Sequence, residues 1–260
     1  MATLVTFHAH PDDESIGCGG VMRKAFEEGH RVVLVVATRG ERGEVPEGFL
    51  GEDEPLWRRR VAETHAAAEI LGVERVEFLG YLDSGMMGTE TNDAPGSFWT
   101  TPVDDAAEKL ASILREENAD VLTVYDDNGG YGHPDHIQVH RVGMRAAEIA
   151  GTARVYQNTM NRDHFVRARA EFGEDSALPD VPPDAENLGK SEAEITAAVD
   201  VTAYLDHKRR AMRAHASQIS EQSFFLAMPD NAFRYAFGTE WFIRAGAGPG
   251  ITETDLLAGL

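Results

Sequence analysis

The sequence contains little cysteine, little positive charge and no long apolar run. Cys18 is its single cysteine, which excludes an intramolecular disulfide framework and favours a reducing cytoplasm. Lys and Arg total 24 against 44 Asp and Glu, and the net charge of −20 disfavours nucleic acids and anionic membranes as partners. The longest apolar run, residues 32–37, is too short to cross a bilayer, and the N-terminus shows no signal-peptide pattern. We therefore expect a cytoplasmic protein with no membrane-spanning segment.

The first 157 residues alternate between strand-like and helix-like segments. Short apolar runs predict strands at 4–7, 32–37, 76–79, 121–125 and 155–157. Helical periodicity and terminal glycines predict helices at 16–28, 56–71, 104–117 and 136–150. This alternation predicts an α/β fold, in which a Rossmann-like, mostly parallel sheet carries helices on both faces.

Residues 161–260 show a looser pattern. The segment 171–192 is rich in Asp, Glu and Pro and is expected to form an exposed excursion. A strand at 195–201 and a charged helix at 202–216 are expected, followed by an aromatic-dense stretch. We interpret residues 1–160 as the core and residues 161–260 as a C-terminal extension. The extension is expected to pack on the core as a cap and to help form the substrate pocket, within a single domain overall.

Two short polar motifs follow predicted strands and precede predicted helices. The first, Ala-His-Pro-Asp-Asp-Glu, occupies residues 9–14, and the second, Tyr-Gly-His-Pro-Asp-His, occupies residues 131–136. Loops at the carboxyl ends of parallel strands line the ligand crevice of an open sheet. The two motifs are therefore expected to converge, although about 120 residues separate them.

The residues of these motifs suit a catalytic metal site. A catalytic zinc takes three protein ligands and keeps positions open for water or substrate. His10 and Asp13 lie three residues apart at a helix start, and His136 is the expected third ligand. Asp12 is then left to act as a general base on the metal-bound water. We expect one zinc ion per chain, although two histidines and one aspartate also admit Fe²⁺.

The second motif supplies further candidate catalytic groups. His133 lies three residues before His136 and, when protonated, can stabilise an oxyanion and donate a proton to a departing amine. Asp135 is expected to orient His133 by accepting a hydrogen bond from its other ring nitrogen. The hydroxyl of Tyr131 is expected to polarise the substrate carbonyl. Glu14 is expected to be a structural partner of the site.

The paired motifs resemble the family of zinc-dependent N-acetylglucosaminyl deacetylases, over roughly residues 3–160. The resemblance implies a hydrolase that acts on a linear amide and removes an N-acyl group, foremost acetyl, from a small-molecule aminosugar. It also implies a set of roles: His10, Asp13 and His136 as metal ligands, Asp12 as general base, and His133 as acid or electrostatic partner.

Three other segments acquire a meaning only through this resemblance. Arg60, in Arg-Val-Ala-Glu, and Asp83, in Leu-Asp-Ser-Gly, would contact sugar hydroxyls. The stretch Ala-His-Ala-Ser-Gln at 214–218 resembles the mycothiol branch of the family and favours a small thiol-pathway substrate. A close variant of the reaction, cleavage of a larger amide in a glucosaminyl-inositol thiol conjugate, uses the same machinery.

Two other classes of function compete with this hypothesis. A phosphoesterase with two metal ions needs a second set of ligands, for which Asp126 and Asp127 are the candidates. A nucleotide-binding protein needs a glycine-rich turn directly after the first strand. The run Gly-Cys-Gly-Gly at 17–20 follows the acidic motif instead and does not give the G-x-G-x-x-G spacing.

Overall fold

The computed structural model describes residues 1–172 and 188–260 of the chain. The exposed excursion predicted for residues 171–192 lies largely outside these described residues. No helix within the two ranges combines the length and the apolar character that crossing a membrane requires.

The described residues form one sheet of seven strands. The strands are β1 (Thr3–His8), β2 (Arg31–Thr38), β3 (Arg75–Tyr81), β4 (Val121–Tyr125), β5 (Arg154–Thr159), β6 (Ala197–Asp200) and β7 (Thr239–Arg244). Their order across the sheet is β3-β2-β1-β4-β5-β7-β6. The first five run parallel, whereas β7 is antiparallel to both β5 and β6. The predicted α/β fold with a mostly parallel sheet is thus confirmed.

Helices surround this sheet. They are α1 (Asp13–Gly17), α2 (Gly19–Glu27), α3 (Leu56–Leu71), α4 (Val103–Glu116), α5 (Pro134–Ala150), α6 (Arg162–Phe172), α7 (Leu205–Ala214), α8 (Phe224–Ala227) and α9 (Asp230–Phe237). The helix predicted at 16–28 is in fact two helices, α1 and α2, interrupted at Cys18. The interruption lies in the glycine run. There, a Cβ on Gly20 would approach Val201 to 2.4 Å, so only glycine allows this close packing.

Each face of the sheet carries its own apolar core. Alternate residues of β1 point to opposite faces, because side chains alternate along a strand. Phe7 packs in a cluster with residues of α4 and α5, and Leu4 packs in a second cluster with residues of α2, α3 and α7. Cys18 belongs to the second cluster and is fully buried, and burial raises the pKa of its thiol. Cys18 is therefore a packing residue of this core.

The C-terminal part of the chain completes the sheet and adds helices beside it. The predicted strand at 195–201 appears as β6, whereas β7 was not expected from the sequence. Residues of α6 to α9 form a third apolar cluster that includes Leu205, Met212, Leu226 and Phe233. The division of the chain at residue 160 stays a prediction.

Neighbouring strands bring the two polar motifs together. β1 and β4 are paired in parallel, with Thr6 opposite Thr123. The segments that leave their carboxyl ends therefore start side by side at one edge of the sheet. This edge holds the candidate site.

Candidate active site

The first motif turns sharply between β1 and α1. Asp12 has a φ of 99°, which is unusual for a residue with a side chain. Its backbone N–H donates to Glu14 Oε2 at 3.0 Å, and its carbonyl accepts from the N–H of Ser15 at 3.0 Å. These bonds hold the backbone in its strained conformation, which is common for residues at functional sites.

The second motif begins helix α5. Pro134 lies in the first turn, where its missing N–H costs no hydrogen bond, and His133 occupies the N-cap position. This arrangement fixes His133 and His136, one helical turn apart, beside the first motif. The ring centroids of His10 and His133 are 4.7 Å apart, and those of His10 and His136 are 5.4 Å apart. The predicted convergence of the two motifs is therefore confirmed.

Among the three predicted metal ligands, one carboxylate oxygen of Asp13 lies close to both histidines. Asp13 Oδ2 lies 3.4 Å from His10 Nδ1 and 3.3 Å from His136 Nε2. Two ligands bound at about 2.0–2.1 Å to one tetrahedral ion would be separated by about 3.4 Å. His136 Nε2 is buried and has no hydrogen-bond partner, which a buried nitrogen seldom tolerates. Asp13 Oδ2 therefore lies from each histidine at the distance expected of two ligands of one ion.

Other potential donors surround His10. Among the described residues, two buried groups each bring three ligand atoms within 4.8 Å of one another: His10 with His133 and His136, and His10 with Asp83 and Asp135. Backbone N–H groups donate to His133 Nδ1 and to both of these aspartates, and the N–H of His10 donates in the same way to Asp13 Oδ2 at 2.8 Å. The unpartnered Nε2 of His136 favours a site that includes His136, while the set of His10, Asp13 and His136 stays a prediction.

The charges of this cluster shift its titration. Burial alone would lower the pKa of His10, but the carboxylates of Asp13, Asp135 and Asp83 raise it well above its usual value. Burial likewise opposes the charged form of Asp13, yet His136 and His10 hold the pKa of its carboxyl well below the usual range. His10 and the carboxylates around it thus stabilise one another's charged forms.

Asp12 lies in a different environment from its neighbour. Burial raises the pKa of its carboxyl to about 6, against the opposing charge of Arg60. Arg60 donates to Asp12 Oδ2 at 3.3 Å. A carboxyl that titrates near neutral pH can accept a proton and later return it.

Arg60 contacts the protein backbone as well as Asp12. Its guanidinium donates to the carbonyl oxygens of Gly40 and Pro11 at 2.9 and 2.5 Å, and the residue is only 3% exposed. These contacts support a role in holding Asp12 and the turn before it. The sugar contact implied for Arg60 stays a prediction.

Asp83, the other implied sugar contact, is buried beside His10. Its Oδ1 accepts from the N–H of Gly85 at 2.9 Å and lies 3.6 Å from His10 Nε2. Burial opposes its charged form, but His10 lowers the pKa of its carboxyl. Asp83 therefore shapes its turn and faces the cluster, while its contact with a sugar stays a prediction.

His133 and Asp135 interact differently from the prediction. His133 Nδ1 accepts from the backbone N–H of Asp135 at 3.1 Å. The carboxylate of Asp135 instead accepts from the hydroxyl of Ser84, from the N–H of Ser84 at 2.9 Å, and contacts His10 Nε2 at 3.1 Å. The predicted orienting role of the Asp135 carboxylate is therefore wrong in its atoms: the backbone amide of Asp135 orients His133, and its carboxylate supports His10.

Tyr131 stands over the two histidines of the second motif. Its ring centroid lies 5.0 Å from that of His136 and 6.2 Å from that of His133. The residue is 46% exposed. Burial and the charge of Asp13 raise the pKa of its hydroxyl, so the phenol stays protonated.

The motif at 214–218 contacts the residues that hold the first polar motif, which the sequence did not predict. His215 Nε2 lies 2.6 Å from Glu14 Oε1, and both side chains are fully buried. The hydroxyl of Ser217 donates to Glu63 Oε2 at 2.6 Å. Glu14 is thus a structural partner of the site, as predicted, and links His215 to the backbone N–H of Asp12. In the sequence, the only signal for this contact was a histidine in a segment that resembles a family motif.

The residues named for the two competing functions are engaged elsewhere. The N–H groups of Gly20 and Val21 donate to the Glu240 carboxylate at 2.7 and 2.8 Å, so a protein carboxylate occupies the place of a nucleotide phosphate. Asp126 accepts from two backbone N–H groups and Thr159. Asp127 pairs with Lys190.

The matching family and two curated relatives are named as deacetylases. The family described as GlcNAc-PI de-N-acetylase matches residues 5–147. A 1D-myo-inositol 2-acetamido-2-deoxy-alpha-D-glucopyranoside deacetylase from Streptomyces griseus is 42% identical over 289 residues, covering 99% of this chain and 88% of that protein. A deacetylase of the same name from Acidothermus cellulolyticus is 41% identical over 281 residues, covering 100% of this chain and 96% of its own.

A solved structure gives the same answer for the fold. The N,N'-diacetylchitobiose deacetylase of Pyrococcus horikoshii superimposes with a TM-score of 0.56 at 22% identity, covering 89% of this chain and 73% of that one. This likeness concerns the fold. The family match over more than half of the chain, together with relatives above 40% identity along nearly all of it, shows that the chain belongs to the GlcNAc-PI de-N-acetylase family.

Proposed function

We propose that the protein is a zinc-dependent deacetylase that hydrolyses the acetamide of N-acetylglucosaminyl-inositol. The observation that carries this proposal is the shared contact of His10 and His136 with Asp13 Oδ2, beside an Asp12 that belongs to the same turn. The names of the relatives in Streptomyces griseus and Acidothermus cellulolyticus support the substrate. The reaction adds water to the acyl carbon, breaks the carbon–nitrogen bond, and releases acetate and a free amine.

His10, Asp13 and His136 would hold the zinc ion. Two imidazoles and one carboxylate are the usual kind of donor set for a catalytic zinc. When bound, zinc polarises a carbonyl oxygen and makes a water molecule more acidic. Tyr125 stabilises His136 from behind, with ring centroids 4.3 Å apart in a stacked arrangement.

Asp12 would serve as both base and acid. The attacking water must lose a proton, and we assign this step to the carboxylate of Asp12, whose pKa is raised, whereas that of Asp83 is lowered. The amine must gain a proton before it leaves. Because burial raises the pKa of Asp12 to about 6, the same carboxyl can supply that proton.

His133 would stabilise the oxyanion as a neutral donor. Burial and the neighbouring His10 and His136 lower its pKa to about 4, so the ring is uncharged at neutral pH. Since Nδ1 accepts from the N–H of Asp135, the ring proton resides on Nε2, which can donate to a developing negative charge. The hydroxyl of Tyr131 would polarise the carbonyl. A neutral imidazole is a poor proton donor, so we assign the acid role to Asp12.

A direct assay tests the proposal. The protein is freed of metal with a chelator, reconstituted with Zn²⁺ or Fe²⁺, and incubated with N-acetylglucosaminyl-inositol while the free amine is measured. We expect amine release that is absent without metal and returns with zinc. A protein that binds one zinc per chain but releases no amine from this substrate contradicts the proposal. Metal content of two ions per chain would instead favour the phosphoesterase.

A further inference from the structure

A cavity of about 600 Å³ opens beside the candidate metal ligands. Asp13, Tyr131 and His136 form part of its wall, so the cavity is continuous with the place where an amide would react. Its volume is in the range of pockets that bury a drug-sized ligand. Acetate, the product of the proposed reaction, would fill only a small part of it.

The wall of this cavity is mainly aromatic and aliphatic. The C-terminal helices and β7 contribute most of it, including Phe165, Phe225, Met228, Tyr235, Phe237 and Trp241. Apolar side chains also form its rim, where Met160 is 44%, Val166 53% and Phe224 44% exposed. Exposed apolar groups gathered around one opening indicate a surface that binds an apolar partner.

Several polar groups in the wall away from the candidate metal ligands are already paired or hydrogen-bonded within the protein. Lys208 and Glu240 form an ion pair with each other and are almost fully buried. Asn158 donates to the carbonyl of Gly17 at 3.1 Å. A sugar or an inositol would bring many hydroxyl groups that need partners, and burying them here without such partners would be unfavourable.

The order of the strands separates the cavity from the polar side of the site. β5 and β7 lie on one side of β1 and β4, whereas β3, which leads to Asp83, lies on the other side. Neither Arg60 nor Asp83 lines the cavity. A sugar held on the β3 side would therefore direct its N-acyl group toward the β5 side.

We propose that the cavity binds the acyl chain of the substrate and that the enzyme cleaves N-acylglucosaminides whose straight, apolar acyl group has on the order of eight carbons. This inference rests on the proposed function, since it assigns the same site a larger acyl group. Water adds to the acyl carbon, the carbon–nitrogen bond breaks, and the products are a fatty carboxylate and the protonated glucosaminide amine.

The test compares N-octanoyl- and N-acetyl-glucosaminyl-inositol with the zinc-loaded enzyme. We expect kcat/KM for the octanoyl substrate to be about tenfold higher, because methylene groups are discriminated by an apolar pocket. An equal or lower kcat/KM for the octanoyl substrate, with acetyl hydrolysed normally, overturns the inference and leaves the proposed function intact. If neither substrate releases amine, the proposed function fails and the inference fails with it. If only the octanoyl substrate reacts, the inference stands and deacetylation is not the function.

Three variants locate the effect in the cavity. Ala236 lines the cavity, and Ala236→Trp should lower kcat/KM about tenfold for the octanoyl substrate while leaving the acetyl substrate within about threefold. Ala227→Trp places the same side chain at an exposed position of α8 that is not part of the wall and should change neither. If Ala236→Trp does not fold, Val166→Glu, at a half-exposed position of the rim, should produce the same selective loss. Equal losses for both substrates in the folded variants contradict the inference.

Discussion

At the scale of single residues, Asp12 has the least favourable backbone conformation and side-chain environment of the candidate site. It combines a left-handed φ with a carboxyl whose pKa burial raises to about 6, and both features are unfavourable in an ordinary loop. Two contacts offset this cost. Arg60 donates a hydrogen bond to the carboxylate of Asp12, and Glu14 accepts one from the backbone N–H of Asp12. A residue kept in such a position by several partners is better explained by chemistry than by folding.

Replacing Asp12 by Asn tests that chemistry. The amide keeps the size of the side chain but cannot accept a proton, so kcat should fall by about 10²–10⁴. Bound zinc should remain at one per chain, because Asp12 is outside the proposed ligand set. Amine release and metal analysis on the same sample check both. If Asp12→Asn keeps more than a tenth of the activity of the original enzyme, our assignment of the base is wrong.

His215 should act on catalysis through Glu14. Burial raises the pKa of the Glu14 carboxyl, but His215 outweighs this and lowers it, so the pair is ionised. His215→Leu leaves a buried carboxylate without its partner, which should lower kcat and also destabilise the protein by about 3 kcal/mol. His215→Gln retains an N–H donor near the position of Nε2 and should restore much of both. We expect KM to change little, as measured by steady-state kinetics and urea unfolding.

The control for His215 is at Ser217, which bonds to Glu63 and not to Glu14. Ser217→Ala should reduce stability by about 1 kcal/mol through its lost hydrogen bond, with a smaller effect on kcat. If Ser217→Ala lowers kcat as strongly as His215→Leu, the effect of His215 is general destabilisation and not positioning of Asp12.

Residue identities could be predicted from the sequence better than residue contacts. The convergence of the two motifs followed from their positions after two predicted strands, and the proposed ligand trio and Asp12 come from these motifs of six residues, within which spacing limits the geometry. The partners of Arg60 and Asp135 did not follow, because Gly40, Pro11 and Ser84 reach them from segments 20 to 51 residues away. Only the packing of several elements decides which side of a motif such long-range partners occupy.

At the scale of elements, helix α2 depends on a carboxylate from another part of the chain. Glu240 of β7 accepts from the N–H groups of Gly20 and Val21 and pairs with Lys208 of α7. Unpaired N–H groups at a helix start attract negative charge. This single carboxylate therefore joins α2, α7 and β7 in the interior.

Glu240→Gln should destabilise the protein strongly. It leaves the Lys208 ammonium buried without a partner, and we expect the free energy of unfolding to fall by about 3 kcal/mol. The double variant Lys208→Met, Glu240→Gln removes both charges and should recover part of this loss. Urea unfolding followed by circular dichroism measures both. Equal stability of the single and double variants would show that the ion pair does not govern the effect.

A second link between elements should depend on pH. Glu117, at the end of α4, binds Arg31 and Arg75, which belong to β2 and β3. Arg31 lowers the pKa of its carboxyl below the model-peptide value of 4.5. A lowered pKa contributes stability above 4.5, and this contribution is lost as pH falls through the lower pKa of the folded protein.

The variant Glu117→Gln reveals this contribution. At pH 7 it should be less stable than the original protein by about 1 kcal/mol, and the difference should shrink as pH falls from 5 toward 2. Urea unfolding at a series of pH values gives the comparison. A difference that is constant or larger in acid would contradict the linkage.

Sequence patterns predicted most strands of the sheet but not β7. Strands β1 to β5 were predicted because parallel strands covered on both faces consist of near-continuous apolar runs. β7, with the sequence Thr-Glu-Trp-Phe-Ile-Arg, was missed because aromatic residues are equally typical of a packed cap. Its partner β5 ends about 80 residues earlier. Because no short hairpin turn connects the two strands, no local signal in the sequence indicated their antiparallel pairing.

At the scale of the whole molecule, the candidate site concentrates negative charge in a chain that is already strongly acidic. The chain has a net charge of −20, and the carboxylates of Asp12, Asp13, Asp83 and Asp135 gather at one edge of the sheet. Clustered like charges in a region of low dielectric repel one another. The imidazole of His10, whose pKa these carboxylates raise, offsets this repulsion only in part, whereas a divalent cation would bring two positive charges to the same place.

Metal binding should therefore stabilise the whole fold and not only the site. A ligand that binds only the folded state adds about 2.7 kcal/mol at a concentration 100 times its Kd, so zinc should raise Tm and excess chelator should reverse the rise. His136→Ala removes a proposed ligand and should abolish most of the shift, whereas His140→Ala, one turn further along α5, should retain it. Differential scanning calorimetry of the three proteins with and without zinc measures the effect. An equal shift in His136→Ala and the original protein would place the stabilising ion elsewhere and remove the physical basis for Asp12 as its neighbouring base.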